Sequence, residues 1–211
     1  LNDDYTLEAM NVDRSRYLDH YRELKNKVPL LRNNTIIEYP VDQRALTRRY
    51  TEEAVKFIED NKDQPFFLYL PHTMPHKPHF VEEAYAGTSE AGIFGDIIHH
   101  IDWSVGEVVK AVRENGLAED TLIFYCSDNG PIKEGSPGPM RGNKFTTFEG
   151  GMRTPGIFWA PGTVAEGSVC DGIASTLDLI KTIGYYSGGS LPEDRTYDGF
   201  NVAKLIEGRT H

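Results

Sequence analysis

The segment TLIFYCSDNGPIKEGSPGPMRGNKFTTFEGGMRTP, residues 121–155, carries the strongest structural signal in the chain. It begins with a nearly continuous apolar run, residues 122–126, which is too short for an ordinary helix and rich in strand-forming residues. Such a run predicts a strand that is buried on both faces. The predicted strand ends at the sequence SDNGP, residues 127–131, which is a cluster of turn-forming residues.

Two side chains in that turn are candidate metal ligands. Ligands of open α/β sheets bind beyond the carboxyl ends of the strands, which is where Asp128 and Asn129 stand. A carboxylate and an amide carbonyl are both oxygen ligands of the kind that Ca²⁺ or Mg²⁺ takes. Arg141 and Lys144 follow, and two cations there can hold an anion facing such a metal. The alternative interpretation is that Asp-Asn-Gly forms only a turn.

Composition narrows the class of protein. The chain has 211 residues, enough for one sizeable core, and a formal net charge of −10. This charge disfavours a nucleic-acid binder but leaves an anionic substrate open, because local charges set the field inside a cleft. No apolar stretch is long enough to span a bilayer. The chain starts at Leu1 without a signal-peptide pattern, so we expect an excised or mature segment.

The remaining periodicity predicts a mainly parallel α/β sheet flanked by helices. The run PFFLYL, residues 65–70, predicts a second buried strand, and the apolar spacing of residues 93–115 predicts the clearest helix. The helix would connect these two strands in a βαβ step. We also expect a helix over 15–27, a hairpin over 28–40 around Asn33-Asn34, a helix over 45–61, a strand over 157–160 and a helix over 171–185 with Ile173 and Leu177 inward. In the helix over 93–115, Ile98 is expected on the packed apolar face and Asn115-Gly116 at the C-terminal stop. Gly150-Gly151 indicate a backbone requirement, either a tight turn or a close approach. We treat residues 1–211 as one domain, with 1–44 peripheral and 45–208 forming the core.

A loop rich in histidine and proline follows the PFFLYL strand. It reads PHTMPHKPHF, residues 71–80, and places His72, His76 and His79 between prolines that exclude a helix. Three histidines at this density are compatible with a zinc site, although the sequence marks no fourth ligand. They are equally compatible with solvated loop side chains.

The order and spacing of SDNG, RGNK and EGGMRTP resemble the second half of the sulfatase catalytic domain, of the arylsulfatase type. That family belongs to the alkaline-phosphatase-like superfamily. The resemblance extends from about residue 30 to residue 208. Near its end, the sequence DGFNVAKLIEG is similar to the family's D-G-x-S-L-x-x-L-L-x-G step, with Asn201 in place of the usual Ser.

The resemblance implies roles for individual residues. Asp128 and Asn129 would bind a divalent cation, usually calcium, and Lys144 would bind the sulfate group. Arg141 and Arg153 are weaker candidates, and the alternative is that each braces its loop through a carboxylate such as Glu149. The family's His-x-Pro is matched by His76-Lys77-Pro78, so His76 would contact the sulfate and protonate the leaving alcohol. An alignment shifted by four residues would select His72 instead.

The family's nucleophile has no counterpart in this sequence. Sulfatases use a formylglycine made from Cys or Ser in a Cys/Ser-x-Pro-x-Arg motif, and neither Cys126 nor Cys170 has the required Pro and Arg. The pair of Asp residues that completes the family's metal site is also missing, since Asp3-Asp4 follows no strand. We therefore expect a formylglycine upstream of this chain and no activity from the chain alone.

The expected function is a sulfuric ester hydrolase that acts on a sulfated small molecule or a sulfated glycan. Two alternatives remain: a phosphatase or phosphonate hydrolase of the same superfamily, or a non-catalytic remnant that binds anions or glycans. The resemblance also suggests an extracytoplasmic location, whether periplasmic, secreted or lysosomal.

Overall fold

The computed structural model describes residues 27–209, which contain five α-helices and four strands. The strands are β1 (Leu30–Arg32), β2 (Thr35–Glu38), β3 (Ile123–Cys126) and β4 (Gly156–Trp159). The helices are α1 (Leu46–Asn61), α2 (Gly92–Glu114), α3 (Glu149–Met152), α4 (Leu179–Ser187) and α5 (Ala203–Ile206). The chain divides into two compact units, Leu1–Ala111 and Val112–His211. The helix predicted over 15–27 lies outside the described residues but for its last residue, and the single-domain organisation stays a prediction.

The first unit begins with the predicted hairpin. β1 and β2 pair antiparallel, with Arg32 opposite Thr35. The connecting turn uses Asn33 at a φ of 54°, a left-handed conformation that asparagine tolerates better than most residues. The hairpin prediction is confirmed.

Helices α1 and α2 form the core of the first unit. Ala54 and Ile58 of α1 and Ile97 and Ile101 of α2 are all at most 4% exposed, as amphipathic spacing predicts. The end of α2 is also as predicted, because Gly116 adopts a φ of 73° just after the last turn. Ile98 differs from the prediction, since it lies 39% exposed.

Residues 65–70 differ from the prediction of a buried strand. They form no strand ladder, and the side chains of Phe67 and Tyr69 are 68% and 76% exposed. Phe66 lies on the other face and contacts Phe57 of α1 edge-on, with ring centroids 5.6 Å apart. Residues 65–70 are thus apolar on both faces, but within the first unit only the face that carries Phe66 packs against other residues.

The sheet of the second unit also differs from the predicted arrangement. β3 pairs with β4 antiparallel, with Phe124 opposite Phe158 and their rings stacked 4.4 Å apart. The four residues of β3 are half-buried rather than buried on both faces. Both sheets among residues 27–209 are antiparallel, so the expected parallel pairing is not observed there. The apolar run predicted a strand correctly, but pairing direction depends on residues distant in sequence.

The last predicted helix starts later than expected. α4 begins at Leu179 after a 3₁₀ turn, Thr176–Asp178, and residues 171–175 lie outside it. Ile173 is 97% exposed and Leu177 is 60% exposed, so their predicted inward orientation is wrong. No helix in the described part of the chain is long and apolar enough to cross a membrane.

Candidate functional site

Asp128 and Asn129 lie immediately beyond the carboxyl end of β3. The strand ends at Cys126, and the chain turns through Ser127, whose hydroxyl donates to Asp128 Oδ1 over 3.4 Å. The Asp128 side chain is exposed and the Asn129 side chain is half-buried. The structure therefore places Asp128 and Asn129 just beyond the end of a strand, as predicted.

Close backbone contacts bring the following loop back against this turn. Gly130 N–H donates to the Gly151 carbonyl over 3.0 Å, and Gly150 N–H donates to the Arg141 carbonyl over 2.8 Å. A Cβ atom on Gly130 would lie 2.1 Å from the Gly150 carbonyl oxygen, and one on Gly150 would lie 2.2 Å from that of Gly142. Such approaches exclude any side chain. The predicted backbone requirement at Gly150 and Gly151 is confirmed.

This packing places Lys144 beside the turn that carries Asp128 and Asn129. The Lys144 N–H donates to the Pro131 carbonyl over 2.8 Å, which ties its backbone to the residues just after Asn129. The side chain is half-buried, and its Nζ lies 5.7 Å from the centre of the exposed Phe145 ring. An ammonium and a carboxylate–amide pair thus belong to one loop scaffold.

The two arginines of this region make contacts of different kinds. The Arg141 guanidinium lies over the Phe148 ring, 3.8 Å from its centre, in a cation–π arrangement. Arg153 pairs with Glu149 across one turn of α3, at 3.7 Å between Nε and Oε2. The bracing role that the sequence suggests for Arg153 through Glu149 is therefore observed. Arg141 instead remains near Lys144 on an exposed surface.

Asp128 and Asn129 match the chemistry of a hard cation but do not form a complete site. Both supply oxygen atoms, whereas calcium in proteins takes six to eight oxygen ligands. Within residues 27–209 no group of three or more His, Cys, Asp or Glu side chains is arranged to hold a metal. The pair is therefore compatible with two ligands of such a site and does not form one by itself.

Cys126 is poorly suited to act as a nucleophile. Burial raises the pKa of its thiol, and the nearby negative charge of Asp128 raises it further. A thiol with a raised pKa holds less of the reactive thiolate at neutral pH. The structure thus agrees with the sequence, in which Cys126 lacks the formylglycine motif.

The histidine loop of the first unit places His76 at the surface. Its side chain is exposed, and its Nδ1 is 2.7 Å from the carbonyl oxygen of Lys77, close enough to donate a hydrogen bond. That contact leaves Nε2 as the ring nitrogen available to a substrate. Two residues earlier, Met74 is only 5% exposed and anchors the loop in the core.

His72 takes the opposite orientation. Its Nε2 lies 3.2 Å from the hydroxyl of Ser104 on α2, and its Nδ1 is buried with no hydrogen-bond partner. Ser104 is fully buried, and its hydroxyl lies 2.6 Å from that of Thr51 on α1. The sequence did not reveal Thr51 and Ser104, because two hydroxyl residues inside helices carry no recognisable spacing signal.

A second buried histidine lies near His72. His100 of α2 is 2% exposed, stacks on Tyr85 with ring centroids 4.2 Å apart, and lies 3.5 Å from Glu82. Glu82 forms an ion pair with Arg48 at 2.8 Å. Burial lowers the pKa of both His72 and His100, and the proximity of His100 lowers that of His72 further.

The three loop histidines do not assemble as a zinc site within the described residues. His79 instead packs against Phe94 of α2, with ring centroids 5.8 Å apart. His76 belongs to the first unit and Lys144 to the second, and their predicted convergence stays a prediction. The second unit also has an open groove of about 560 Å³, whose lining contains none of the predicted site residues (Gly162, Thr163, Tyr185, Tyr186, Glu207 and Arg209).

Comparison with known proteins adds family information to this geometry. A family model described as Sulfatase matches residues 3–188. The chain is 36% identical over 204 residues to human steryl-sulfatase, covering 92% of the chain and 35% of that relative. It is 37% identical over 184 residues to human N-acetylgalactosamine-6-sulfatase, covering 82% of the chain and 35% of the relative.

Among solved structures, the PsFucS1 sulfatase from Pseudoalteromonas sp. superposes with a TM-score of 0.79 at 28% identity. That match covers 97% of this chain and 44% of the other. The chain spans about a third of the length of the curated relatives that it matches.

Proposed function

Because this chain belongs to the sulfatase family, we propose that the protein hydrolyses a sulfate ester and that this chain supplies the part of the active site that holds the sulfate. The observation that carries the proposal is the loop scaffold after β3. There, close glycine contacts and the Lys144–Pro131 hydrogen bond tie the backbone of Lys144 to the turn that follows Asp128 and Asn129.

The charges of this scaffold suit the transfer of a sulfuryl group. Negative charge on the sulfuryl oxygens must be stabilised by fixed positive groups, and such groups are most effective when preorganised. Lys144 supplies one positive charge from a residue whose backbone is held by a hydrogen bond to Pro131. Asp128 and Asn129 would hold a divalent cation together with ligands from outside this chain, and such a cation would supply further positive charge at the sulfuryl oxygens.

His76 donates a proton to the departing alcohol oxygen. Its exposed ring is accessible to a substrate, whereas the His72 ring is turned into the core with Nε2 on Ser104. This difference in burial is our reason for assigning the role to His76 rather than to His72. The nucleophile lies outside this chain, since neither cysteine occurs in a formylglycine motif.

The proposed substrate is defined by its sulfate ester and not by one class of alcohol. The curated relatives include a steryl-sulfatase and an N-acetylgalactosamine-6-sulfatase, whose names specify different alcohols and share only the sulfate ester. Lys144, Asp128 and Asn129 are accordingly assigned to the sulfate and its cation. We place the substrate in the class of sulfated small molecules or sulfated glycans.

The role of His76 can be tested with His76→Ala in the full-length protein and a series of sulfate esters whose leaving alcohols differ in pKa. We expect a loss of about 10²- to 10⁴-fold for alkyl sulfates and a much smaller loss for activated aryl sulfates, because only a basic leaving oxygen needs the proton. The control is His99→Ala, which removes an exposed histidine of α2. Equal losses across the series would contradict proton donation by His76, and full activity on every ester would remove His76 from the site.

A further inference from the structure

We propose that His72 is a positioning residue: it fastens the loop that carries His76 to helices α1 and α2 through a directed chain of buried hydrogen bonds. The inference rests on the proposed function, because it assigns His72 a role in placing His76. It differs from that proposal in naming a residue that never contacts the substrate.

Three short contacts connect His72 to α2 and α1. His72 Nε2 lies 3.2 Å from Ser104 Oγ, Ser104 Oγ lies 2.6 Å from Thr51 Oγ1, and Thr51 Oγ1 lies 2.7 Å from the Thr47 carbonyl oxygen. Ser104 and Thr51 are 0% and 1% exposed. The hydrogen bonds therefore run from the half-buried His72 of the loop through α2 to α1, and the two hydroxyl residues in the middle are shielded from water.

The hydroxyl and ring protons limit the direction in which these hydrogen bonds can run. Each hydroxyl has a single proton, so the chain can run in one of two directions. In one, Nε2–H of His72 donates to Ser104, Ser104 donates to Thr51 and Thr51 donates to the Thr47 carbonyl; in the other, Thr51 donates to Ser104 and Ser104 donates to Nε2, which puts the proton of a neutral His72 on Nδ1. We infer the first direction. It leaves His72 Nδ1 as an unpaired acceptor, which is easier to tolerate in a core than an unpaired N–H donor.

The surroundings of His72 disfavour a positive charge on its ring. A protonated His72 would bury a second N–H without a partner and would place a positive charge near His100. The other charged groups in this region, Glu82 and Arg48, are paired with each other, with Glu82 also 3.5 Å from His100. The hydrogen bonds and the surrounding charges therefore favour a neutral His72.

The hydrogen bond of His72 to Ser104 restricts the position of His76, which is close to it in sequence. Only four positions separate the two histidines, and between them Met74 is 5% exposed. Four residues span at most about 14 Å even when fully extended. Pro71, Pro75 and Pro78 further restrict the backbone by fixing their φ angles. Anchoring at His72 and Met74 therefore limits where the exposed His76 ring can be.

A double-mutant cycle in the full-length protein tests this coupling. His72→Phe keeps an aromatic ring but removes the hydrogen bond, and His76→Ala removes the proposed proton donor. We expect His72→Phe to lower kcat/KM for alkyl sulfates by roughly 10- to 100-fold, with a smaller loss for activated aryl sulfates. In the His76→Ala background, His72→Phe should cost no more than about 2-fold further. Independent, multiplicative losses would overturn the inference.

Three further variants separate positioning from simple packing. His72→Gln, whose amide N–H can donate to Ser104, should recover most of the activity. Ser104→Ala leaves the His72 ring in place and should reproduce the leaving-group dependence, which keeps the test valid if His72→Phe fails to fold. His79→Phe, a matched change at another loop histidine, should leave the leaving-group dependence unchanged. A His79→Phe defect equal to that of His72→Phe would overturn the specific role of His72.

A readout independent of activity comes from ¹⁵N NMR of the histidine rings in this chain. We expect His72 as the neutral Nε2–H tautomer, still neutral below pH 6.5, and we expect Ser104→Ala to abolish that preference. An Nδ1–H tautomer, or ordinary titration near pH 6.5, would overturn the inference. If His76→Ala leaves all sulfate esters unaffected, the proposed function of His76 fails instead, whatever the NMR result for His72.

Discussion

At the scale of single residues, Lys144 combines a fixed backbone with a flexible side chain. A lysine has a long, flexible stem, so a backbone hydrogen bond limits where its ammonium can reach without fixing it. Lys144 is half-buried, its N–H is bonded to the Pro131 carbonyl over 2.8 Å, and its Nζ lies 5.7 Å from the centre of the exposed Phe145 ring. Arg141, nearby in sequence, lies over Phe148 and remains exposed.

Lys144→Ala in the full-length protein should therefore lower turnover of a sulfate ester by about 10²- to 10³-fold, the typical effect of losing one preorganised charge-stabilising donor. The matched control is Lys133→Ala, which removes an exposed lysine of the same loop region. Steady-state kinetics would check this expectation. Near-normal turnover in Lys144→Ala would exclude this lysine from the sulfate site.

At the scale of elements, a buried carboxylate joins α4 to the segment before α5. Asp178 is 6% exposed and accepts hydrogen bonds from the N–H groups of Ser175 and Phe200, both over 2.7 Å. Thr182 reinforces the junction by accepting from the Val202 N–H over 3.1 Å. Just before α5, Asn201 Oδ1 accepts a hydrogen bond from the Ala203 N–H over 3.0 Å.

Asp178→Ala should lower the free energy of unfolding of this chain by about 2–4 kcal/mol, because it leaves two backbone N–H groups without their charged acceptor. Asp171→Ala, at an exposed position, should change it by no more than about 0.5 kcal/mol. Urea unfolding would measure both values. Equal stability of the two variants would mean that the Asp178 junction does not hold these elements together.

At the scale of the whole molecule, the two buried histidines make stability depend on pH. The pKa values of His72 and His100 are lowered in the folded state, chiefly by burial. As the pH falls below about 6.5, the unfolded chain takes up protons that the folded chain does not, so the free energy of unfolding decreases. Above that pH both states are neutral at these sites and the effect vanishes.

The urea midpoint of this chain should therefore fall as the pH is lowered from 7.5 towards 5.5, and His72→Phe should reduce that dependence by removing one of the two groups. Chemical unfolding monitored by circular dichroism at several pH values would measure it. A midpoint that stays constant over this range would contradict the burial of neutral histidines.

Also at the scale of the whole molecule, the set of residues in this chain limits the reaction that it can catalyse by itself. It contains Asp128, Asn129, Lys144 and His76, the residues named in the proposal, but no formylglycine motif. We expect the purified 211-residue chain to bind calcium weakly or not at all and to leave an activated aryl sulfate intact, even in excess calcium. Assay beside the full-length protein, with calorimetry of calcium binding, would check both expectations. Comparable turnover by the chain would show that the nucleophile is misassigned.

The sequence alone was sufficient wherever the deciding interactions are local. Asn33-Asn34 predicts the hairpin turn, Gly116 predicts the end of α2, and the apolar run before Asp128 predicts a strand that ends there. Each of these depends on backbone preferences or on side chains within a few positions. The family resemblance likewise depends on short motifs in a fixed order, and the family match confirms it.

The tertiary structure alone decided the features that depend on partners distant in sequence. Antiparallel pairing of β3 with β4, the exposed faces of Phe67 and Tyr69, and the late start of α4 could not be read from periodicity. An apolar run records that a segment can be buried, not which neighbour buries it or in which direction that neighbour runs. The same reason applies to His72 and His76, which the sequence leaves equivalent. Only the hydroxyl of Ser104, 32 positions away, turns one ring inward while the other stays exposed.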